Sequence, residues 1–160
     1  LIVDDKKEER EKAVGAVHAA GHACIKAREL HDALLFLEQY DDAEEVSHLP
    51  TMSRDREHIQ WDGVITDLHY PGDFEEQALA RETGETKELP NGLTIAAACN
   101  RLGIPCVICT DVHHHHSAWI KHVAKQLGIP VIDDKGCSED AWERTVAALL
   151  VEIEKKAVTA

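Results

Sequence analysis

The sequence contains few aromatic residues, few basic residues and no long apolar run. Aromatic residues make up 4% of the 160 residues, so a core must use Ala, Val, Ile and Leu from the 44% that is hydrophobic. That hydrophobic fraction excludes a disordered chain. No apolar segment approaches the roughly 20 residues that a membrane-spanning helix needs. We therefore expect no association with a membrane.

The shortage of basic residues limits the partners of this chain. Lys and Arg total 17 against 30 Asp and Glu, which gives a formal net charge of −13. The acidic residues are spread along the chain, and no basic run with interleaved aromatic residues occurs. Nucleic-acid binding depends on Lys and Arg that neutralise phosphates. We therefore expect no direct contact with nucleic acid.

The five cysteines are an odd number and lie mostly among small apolar residues. This pattern is typical of buried thiols in a reducing compartment, and it predicts a cytoplasmic protein. Cys106 and Cys109 have a metal-ligand spacing, but their segment reads as a β-strand. Residues three apart on a strand face opposite sides of the sheet, which disfavours a shared zinc ion.

Short apolar runs alternate with helical patterns along the chain. Apolar residues recur at three- and four-residue steps, as at Leu30, Leu34 and Leu37, which indicates helices with one buried stripe. Continuous apolar strands between such helices are typical of a parallel sheet covered on both faces. We therefore predict an α/β fold with a doubly wound, five-stranded parallel sheet of order 2-1-3-4-5, as in flavodoxin-like folds. The five predicted strands are residues 1–3, 23–27, 63–66, 104–110 and 129–132.

The length of the chain predicts one domain with a single core, over residues 1–156, followed by a tail at 157–160. Two polar segments, 41–60 and 73–90, exceed the usual loop of about 2–6 residues, and we interpret both as insertions. The chain ends soon after its last predicted helix. We therefore expect a stand-alone domain whose output passes through a protein partner.

Polar residues follow the predicted strands at the positions where a ligand would bind. In this strand order the ligand site lies at the carboxyl ends of the first and third strands, which carry Asp4, Asp5 and Asp67. Three carboxylates repel one another unless a cation neutralises them, and Mg²⁺ favours such oxygen ligands. Thr110 and Lys135, after the fourth and fifth strands, add a hydroxyl and an ammonium group. The combination predicts phosphoryl chemistry with a carboxylate nucleophile.

Five segments, in this order, resemble the receiver domain of two-component response regulators. Residues 1–5, LIVDD, resemble its acidic-pair motif, and residues 62–72, DGVITDLHYPG, resemble its phospho-acceptor strand and loop. Residues 91–93, NGL, resemble the turn that normally follows that loop, displaced here by the second insertion. Residues 104–110, IPCVICT, and Lys135 match the two remaining signature positions. The resemblance covers almost the whole chain.

The resemblance implies a metal site and a phosphorylation site that share one aspartate. Asp67 would accept the phosphoryl group. Asp4 and Asp5 would hold Mg²⁺ directly or through water, and Asp67 and the backbone carbonyl of His69 would be further ligands.

The resemblance also implies the partners of the site. Thr110 and Lys135 would contact the phosphoryl oxygens. The donor would be the phosphohistidine of a histidine kinase or of a phosphotransfer protein, and phosphorylation would switch binding to a downstream protein target. Such a domain catalyses only its own phosphorylation and dephosphorylation, so we do not expect a conventional enzyme.

Three residues beside the site depart from the usual receiver pattern. Gly136 follows Lys135 where receivers usually have a proline, and Ile132 stands where they usually carry the aromatic residue of the switch. Asp111 follows Thr110 where a small residue is usual. We predict that Asp111 changes the lifetime of the phosphoryl group, and equal dephosphorylation rates in the wild type and in Asp111→Ala would refute this.

Residues 113–116 form a run of four histidines at the start of the fourth predicted helix. One side of a helix or turn could present two of these imidazoles to a transition metal, and their protonation could make this surface pH-sensitive. The alternative, which we favour, is a solvated polar segment.

Two other functions remain open from the sequence. A degenerate receiver that acts as a constitutive interaction module is supported by the altered switch residues and the insertions, and opposed by the intact site residues. A cobalamin-binding domain is a remote third possibility. The D-x-H-x-x-G pattern of such domains fits Asp67, His69 and Gly72, but there it follows the first strand, and the Gly-Gly motif of those domains is missing here.

Overall fold

The computed structural model describes most of the chain, and the described part contains five strands and five helices. The described residues are 1–38, 61–69, 90–111, 118–133, 135 and 138–159. The predicted insertion 41–60, residues 73–89 of the second insertion, the histidine run 113–116 and Gly136 lie outside the described residues.

The described residues form one five-stranded parallel sheet of order β2-β1-β3-β4-β5. This confirms the predicted fold class and strand order. Each strand lies inside a predicted apolar run and is shorter than that run, because apolar residues mark burial rather than strand pairing. The strands are β1 Ile2–Val3, β2 Lys26–Ala27, β3 Val64–Thr66, β4 Cys106–Cys109 and β5 Val131–Ile132.

Helices cover both faces of the sheet. The first and last helices pack together on one face, and the second and third pack together on the other, with the fourth beside the third. In the described part of the chain, no helix combines the length and the apolar character that crossing a membrane requires. The helices are α1 Lys7–Ala19, α2 Leu30–Glu38, α3 Asn91–Leu102, α4 Ala118–Gln126 and α5 Ala141–Thr159.

The alternation of side chains along each strand divides the core into two clusters, one on each face. Ile2 and Cys109 are buried on the side of α1 and α5, whereas Val3 and Cys106 are buried on the opposite side. The two cysteines therefore face away from each other, as their spacing predicts. The described cysteines are free thiols, at positions 24, 99, 106 and 109.

Two glycines end helical segments in the same way and direct the chain into β4 and β5. Gly103 and Gly128 have φ angles of 67° and 69°, which a side chain would disfavour. The N–H of Ile104 then donates to the carbonyl of Cys99 at 2.8 Å. The repeated Leu-Gly-Ile-Pro sequence predicts both glycine ends. β4 and β5 therefore both begin at the end of the sheet where these helical segments stop. Because the two strands are parallel, both finish at the opposite end of the sheet, where the candidate site lies.

Candidate functional site

The carboxyl ends of β1, β3 and β4 bring three polar residues to the same edge of the sheet. Asp4, Asp67 and Thr110 each follow a strand directly and are buried. The hydrogen bonds of the sheet continue to these residues. The N–H of Asp67 donates to the carbonyl of Val3 at 2.8 Å, and the N–H of Thr110 donates to the carbonyl of Ile132 at 2.8 Å. The sheet itself therefore fixes their backbone positions.

Lys135 joins the carboxylates of Asp4 and Asp67. Its Nζ lies 3.0 Å from Asp4 Oδ2 and 2.8 Å from Asp67 Oδ2. All three side chains are almost fully enclosed, with exposed fractions of 1% for Lys135, 0% for Asp4 and 4% for Asp67. The N–H of Lys135 also donates to the carbonyl of Thr110 at 3.0 Å. These contacts fix the position of Lys135, although no proline follows it in the sequence.

Backbone N–H groups orient both buried carboxylates. Asp4 Oδ1 accepts from the N–H of Lys6 at 2.8 Å, and Asp67 Oδ1 accepts from the N–H of Leu68 at 2.7 Å. Each carboxylate thus has one oxygen on a backbone donor and the other on the Lys135 ammonium group.

The buried charges shift one another's ionisation. Burial, opposed by Lys135 and reinforced by the nearby Asp4 carboxylate, raises the pKa of Asp67 to about 7. Burial also raises the pKa of Asp4. Burial lowers the pKa of Lys135, but the two carboxylates outweigh that effect and raise it above its usual value. Lys135 is therefore charged, and the carboxylates favour additional positive charge.

The donor atoms at this edge suit a hard divalent cation. Asp4, Asp5 and Asp67 offer carboxylate oxygens that all lie within 4.8 Å of one another, and carboxylate oxygens are the ligands that Mg²⁺ prefers. The structure therefore brings together the three aspartates of the predicted ligand set. His69 lies two residues beyond Asp67, and the role of its carbonyl as a ligand stays a prediction.

Thr110 provides a hydrogen-bond donor that its surroundings do not use. Its Oγ1 is buried and has no hydrogen-bond partner among the described residues. A buried hydroxyl of this kind is normally satisfied, by protein or by a ligand. Its position after β4 allows it to donate to an oxygen bound at the carboxyl ends of the strands.

Gly92 supports the phospho-acceptor candidate in a way that the sequence did not reveal. Residues 91–93 form the first turn of α3, and the N–H of Gly92 donates to the carbonyl of Leu68 at 3.0 Å. A Cβ atom at Gly92 would lie 2.1 Å from the backbone oxygen of Asp67. The helix can approach β3 this closely only with glycine at that position. The Asn-Gly pair was a signal for a turn, but its contact with Asp67 depends on the fold.

Two further residues of the site were not predicted. Lys6 Nζ lies 3.4 Å from Asp111 Oδ2, so the two side chains form an ion pair across the site. The indole ring of Trp142, on α5, lies 5.9 Å from Lys135 Nζ, and its Nε1 donates to Glu9 Oε2 at 2.9 Å. Trp142 appears in the sequence only as part of an apolar helical stripe. Its position beneath Lys135 depends on how α5 packs on the sheet.

No family model and no curated protein match the sequence of this chain. The functional interpretation therefore depends on the order of the motifs, the sheet topology and the contacts of the cluster.

Proposed function

We propose that this chain is a receiver domain that accepts a phosphoryl group on Asp67. The observation that carries the proposal is the contact of the buried Asp67 with Lys135 at 2.8 Å, at the end of the central strand β3 and within the cluster of three carboxylates. A buried nucleophile beside one ammonium group and two further carboxylates suits phosphoryl transfer.

In the proposed reaction, Asp67 Oδ2 attacks the phosphorus atom of a phosphohistidine on a histidine kinase or phosphotransfer protein. The new O–P bond forms as the N–P bond of the donor breaks, and the imidazole leaves with the electron pair and takes a proton from solvent. Lys135 offsets negative charge on the phosphoryl oxygens, and the Thr110 hydroxyl donates a hydrogen bond to one of them. Dephosphorylation is attack by water, which releases inorganic phosphate and restores the carboxylate.

Asp4, Asp5 and Asp67 would hold the Mg²⁺ ion that this reaction requires. When bound, the ion would supply positive charge to the incoming phosphoryl oxygens. Lys135 supplies a fixed charge to two of these carboxylates, Asp4 and Asp67, so the residues of the chain already orient Asp67 before a donor arrives.

We further propose that phosphorylation changes the binding of a downstream protein target, in the cytoplasm. The backbone N–H of Lys135 donates to the carbonyl of Thr110 at 3.0 Å. A movement of either residue therefore also displaces the loops that follow β4 and β5. The odd number of cysteines and their apolar sequence surroundings support a reducing compartment. Ile132, half-buried on β5, stands where the aromatic residue of the usual switch would be, so the movement must use other side chains.

The test is the intact mass of the protein after treatment with acetyl phosphate, with and without Mg²⁺. We expect one added phosphoryl group in the wild type with Mg²⁺, and none without Mg²⁺ or in Asp67→Asn. Asp62→Asn is the matched control because Asp62 is exposed and lies five residues earlier, before β3. It should gain the group as the wild type does. Hydroxylamine should remove the group, since an aspartyl phosphate is an acyl phosphate.

Two results would favour the other functions. A wild type that binds Mg²⁺ but neither gains the phosphoryl group nor binds beryllofluoride would support the constitutive interaction module. Cobalamin binding would give a visible spectrum that survives desalting, whereas we expect a featureless one. In this fold the Asp67 motif follows β3, the third strand, rather than the first.

A further inference from the structure

An ion pair joins two connections on the surface above Asp67. Lys6 Nζ lies 3.4 Å from Asp111 Oδ2, although the residues are 105 positions apart. Lys6 follows β1 and Asp111 follows β4, and β3 lies between these strands in the sheet. The pair, which we call the Lys6–Asp111 bridge, therefore crosses the carboxyl end of β3, where Asp67 lies.

The bridge lies between solvent and the buried cluster. The side chains of Lys6 and Asp111 are 46% and 25% exposed, whereas that of Asp67 is 4% exposed. The backbone N–H of Lys6 donates to Asp4 Oδ1 at 2.8 Å, and the other oxygen of Asp4 shares the Lys135 ammonium group with Asp67. The backbone of Lys6 is therefore fixed to the cluster, while its side chain is bound to Asp111.

Phosphorylation of Asp67 would change the balance of charge beneath the bridge. A phosphoryl group carries about 1.5 to 2 negative charges near neutral pH, more than the carboxylate charge that it replaces. Its oxygens also accept charge-assisted hydrogen bonds from ammonium groups. Lys6 has a long flexible side chain and a weak, partly solvated partner, so it can move toward this new charge without breaking a buried contact.

We propose that the Lys6–Asp111 bridge controls the stability of the phosphorylated state by an exchange of partners. This inference rests on the proposed function of Asp67. In the unphosphorylated protein Asp111 holds Lys6. After phosphorylation Lys6 leaves Asp111 and binds a phosphoryl oxygen, as a second cation beside Lys135. Asp111 opposes this exchange, so Lys6 lengthens and Asp111 shortens the lifetime of the phosphoryl group.

The test compares the wild type, Lys6→Gln, Asp111→Asn and the double variant. In each protein the half-life of the phosphoryl group after acetyl phosphate treatment and the affinity for beryllofluoride are measured at saturating Mg²⁺. Lys7→Gln is the matched control because Lys7 is the exposed next residue and makes no described ion pair with the site. It should match the wild type.

We expect Lys6→Gln to shorten the half-life and weaken beryllofluoride binding by roughly five- to tenfold, the effect of one partly exposed charged hydrogen bond. Asp111→Asn should increase both by a similar factor. In the double variant the increase should disappear, because Asp111 acts through Lys6. Non-additivity of this kind is the signature of two residues in direct contact.

Three outcomes would overturn the inference. If Asp111→Asn gives the same increase with and without Lys6, Asp111 acts by its own charge and the exchange is wrong. If Lys6→Gln matches the wild type, Lys6 does not bind the phosphoryl group. A wild type that neither gains a phosphoryl group nor binds beryllofluoride overturns the proposed function and this inference together, which distinguishes that case from the first two.

Discussion

Lys135 has two roles at the level of single residues. The sequence suggested that a metal ion must offset the repulsion of the three carboxylates, but the structure places the Lys135 ammonium group between two of them. One buried lysine against Asp4, Asp5 and Asp67 still leaves the cluster with excess negative charge. Lys135 thus links two of the carboxylates, and the cluster remains attractive to a cation.

The first prediction concerns Asp67 in metal-free protein. Burial raises the pKa of Asp67 from its usual 3.8 to about 7. Between about pH 4 and pH 7 the folded state therefore retains a proton that the unfolded chain releases, so the free energy of unfolding falls as pH rises. We expect a decrease on the order of 2–4 kcal/mol across this window, measured by urea unfolding in EDTA.

The controls for this prediction are two aspartate variants. Asp67→Asn should lose most of the decrease and should be more stable than the wild type at pH 8. Asp62→Asn, an exposed site before β3, should retain the wild-type pH dependence. Equal slopes in the wild type and Asp67→Asn would show that the buried charge of Asp67 does not limit stability.

The second prediction uses Trp142 as a reporter of Lys135. Its buried ring lies 5.9 Å from Lys135 Nζ, so a change in the contacts of Lys135 alters the electric field at the indole. We expect saturation with Mg²⁺ and beryllofluoride to change the intrinsic fluorescence of the protein. The change should be lost in Trp142→Phe and retained in Trp119→Phe, because Trp119 is exposed on α4. A change that persists in Trp142→Phe would locate the signal elsewhere.

Among the elements, the close approach of α3 to the end of β3 further constrains the backbone of Asp67, which the sheet already positions. Helix α3 begins at Asn91, and its second residue, Gly92, contacts the backbone of Asp67 and Leu68. The contact holds the carboxyl end of β3 against the first turn of α3. A small residue is needed there because the two backbones meet without an intervening side chain.

The third prediction tests this approach with two glycines. Gly92→Ala would place a Cβ 2.1 Å from the Asp67 oxygen and 2.8 Å from the Leu68 Cα, so the helix or the strand must shift. We expect a loss of roughly 1–3 kcal/mol of unfolding free energy, together with weaker beryllofluoride binding.

Gly15→Ala is the matched control for Gly92→Ala. Gly15 lies within α1, and a Cβ there would meet nothing within 4 Å. The substitution should stabilise the protein by roughly 0.5–1 kcal/mol, because alanine is a better helix former than glycine. Denaturant unfolding measures both effects. A neutral Gly92→Ala would mean that the contact with Asp67 tolerates a side chain.

At the level of the whole molecule, the doubly wound topology concentrates excess negative charge at one edge of an already acidic protein. The chain carries a net charge of −13, and the carboxylate cluster lies at the carboxyl ends of the central strands. A divalent cation therefore acts on the protein in two ways: it binds the cluster, and it screens the overall repulsion.

The fourth prediction separates these two effects of Mg²⁺. Specific binding at ten times the dissociation constant should raise the free energy of unfolding by about 1.4 kcal/mol, measured at constant ionic strength set with NaCl. Asp5→Asn should lose most of this increase, whereas Asp62→Asn should keep it. The same increase in both variants would indicate screening of the net charge rather than a site.

Local pattern alone determined much of this protein. Apolar runs and helical stripes predicted the five strands and the residues that follow them, because burial and backbone geometry impose regular periods on the sequence. The predicted strand order, which the structure confirms, came from the doubly wound fold class. In a parallel sheet, residues that follow neighbouring strands meet at one edge. The convergence of Asp4, Asp67 and Thr110 therefore followed from the fold prediction.

Only the tertiary structure decided which side chains make contact. Lys135 lies 131 positions from Asp4, and Lys6 lies 105 positions from Asp111, so no local period relates either pair. The same is true of Gly92 and Asp67, because the lack of room for a side chain between their backbones depends on how α3 packs on the sheet. Such contacts are set by loop paths and side-chain rotamers, which depend on the packing of the whole molecule rather than on neighbouring residues.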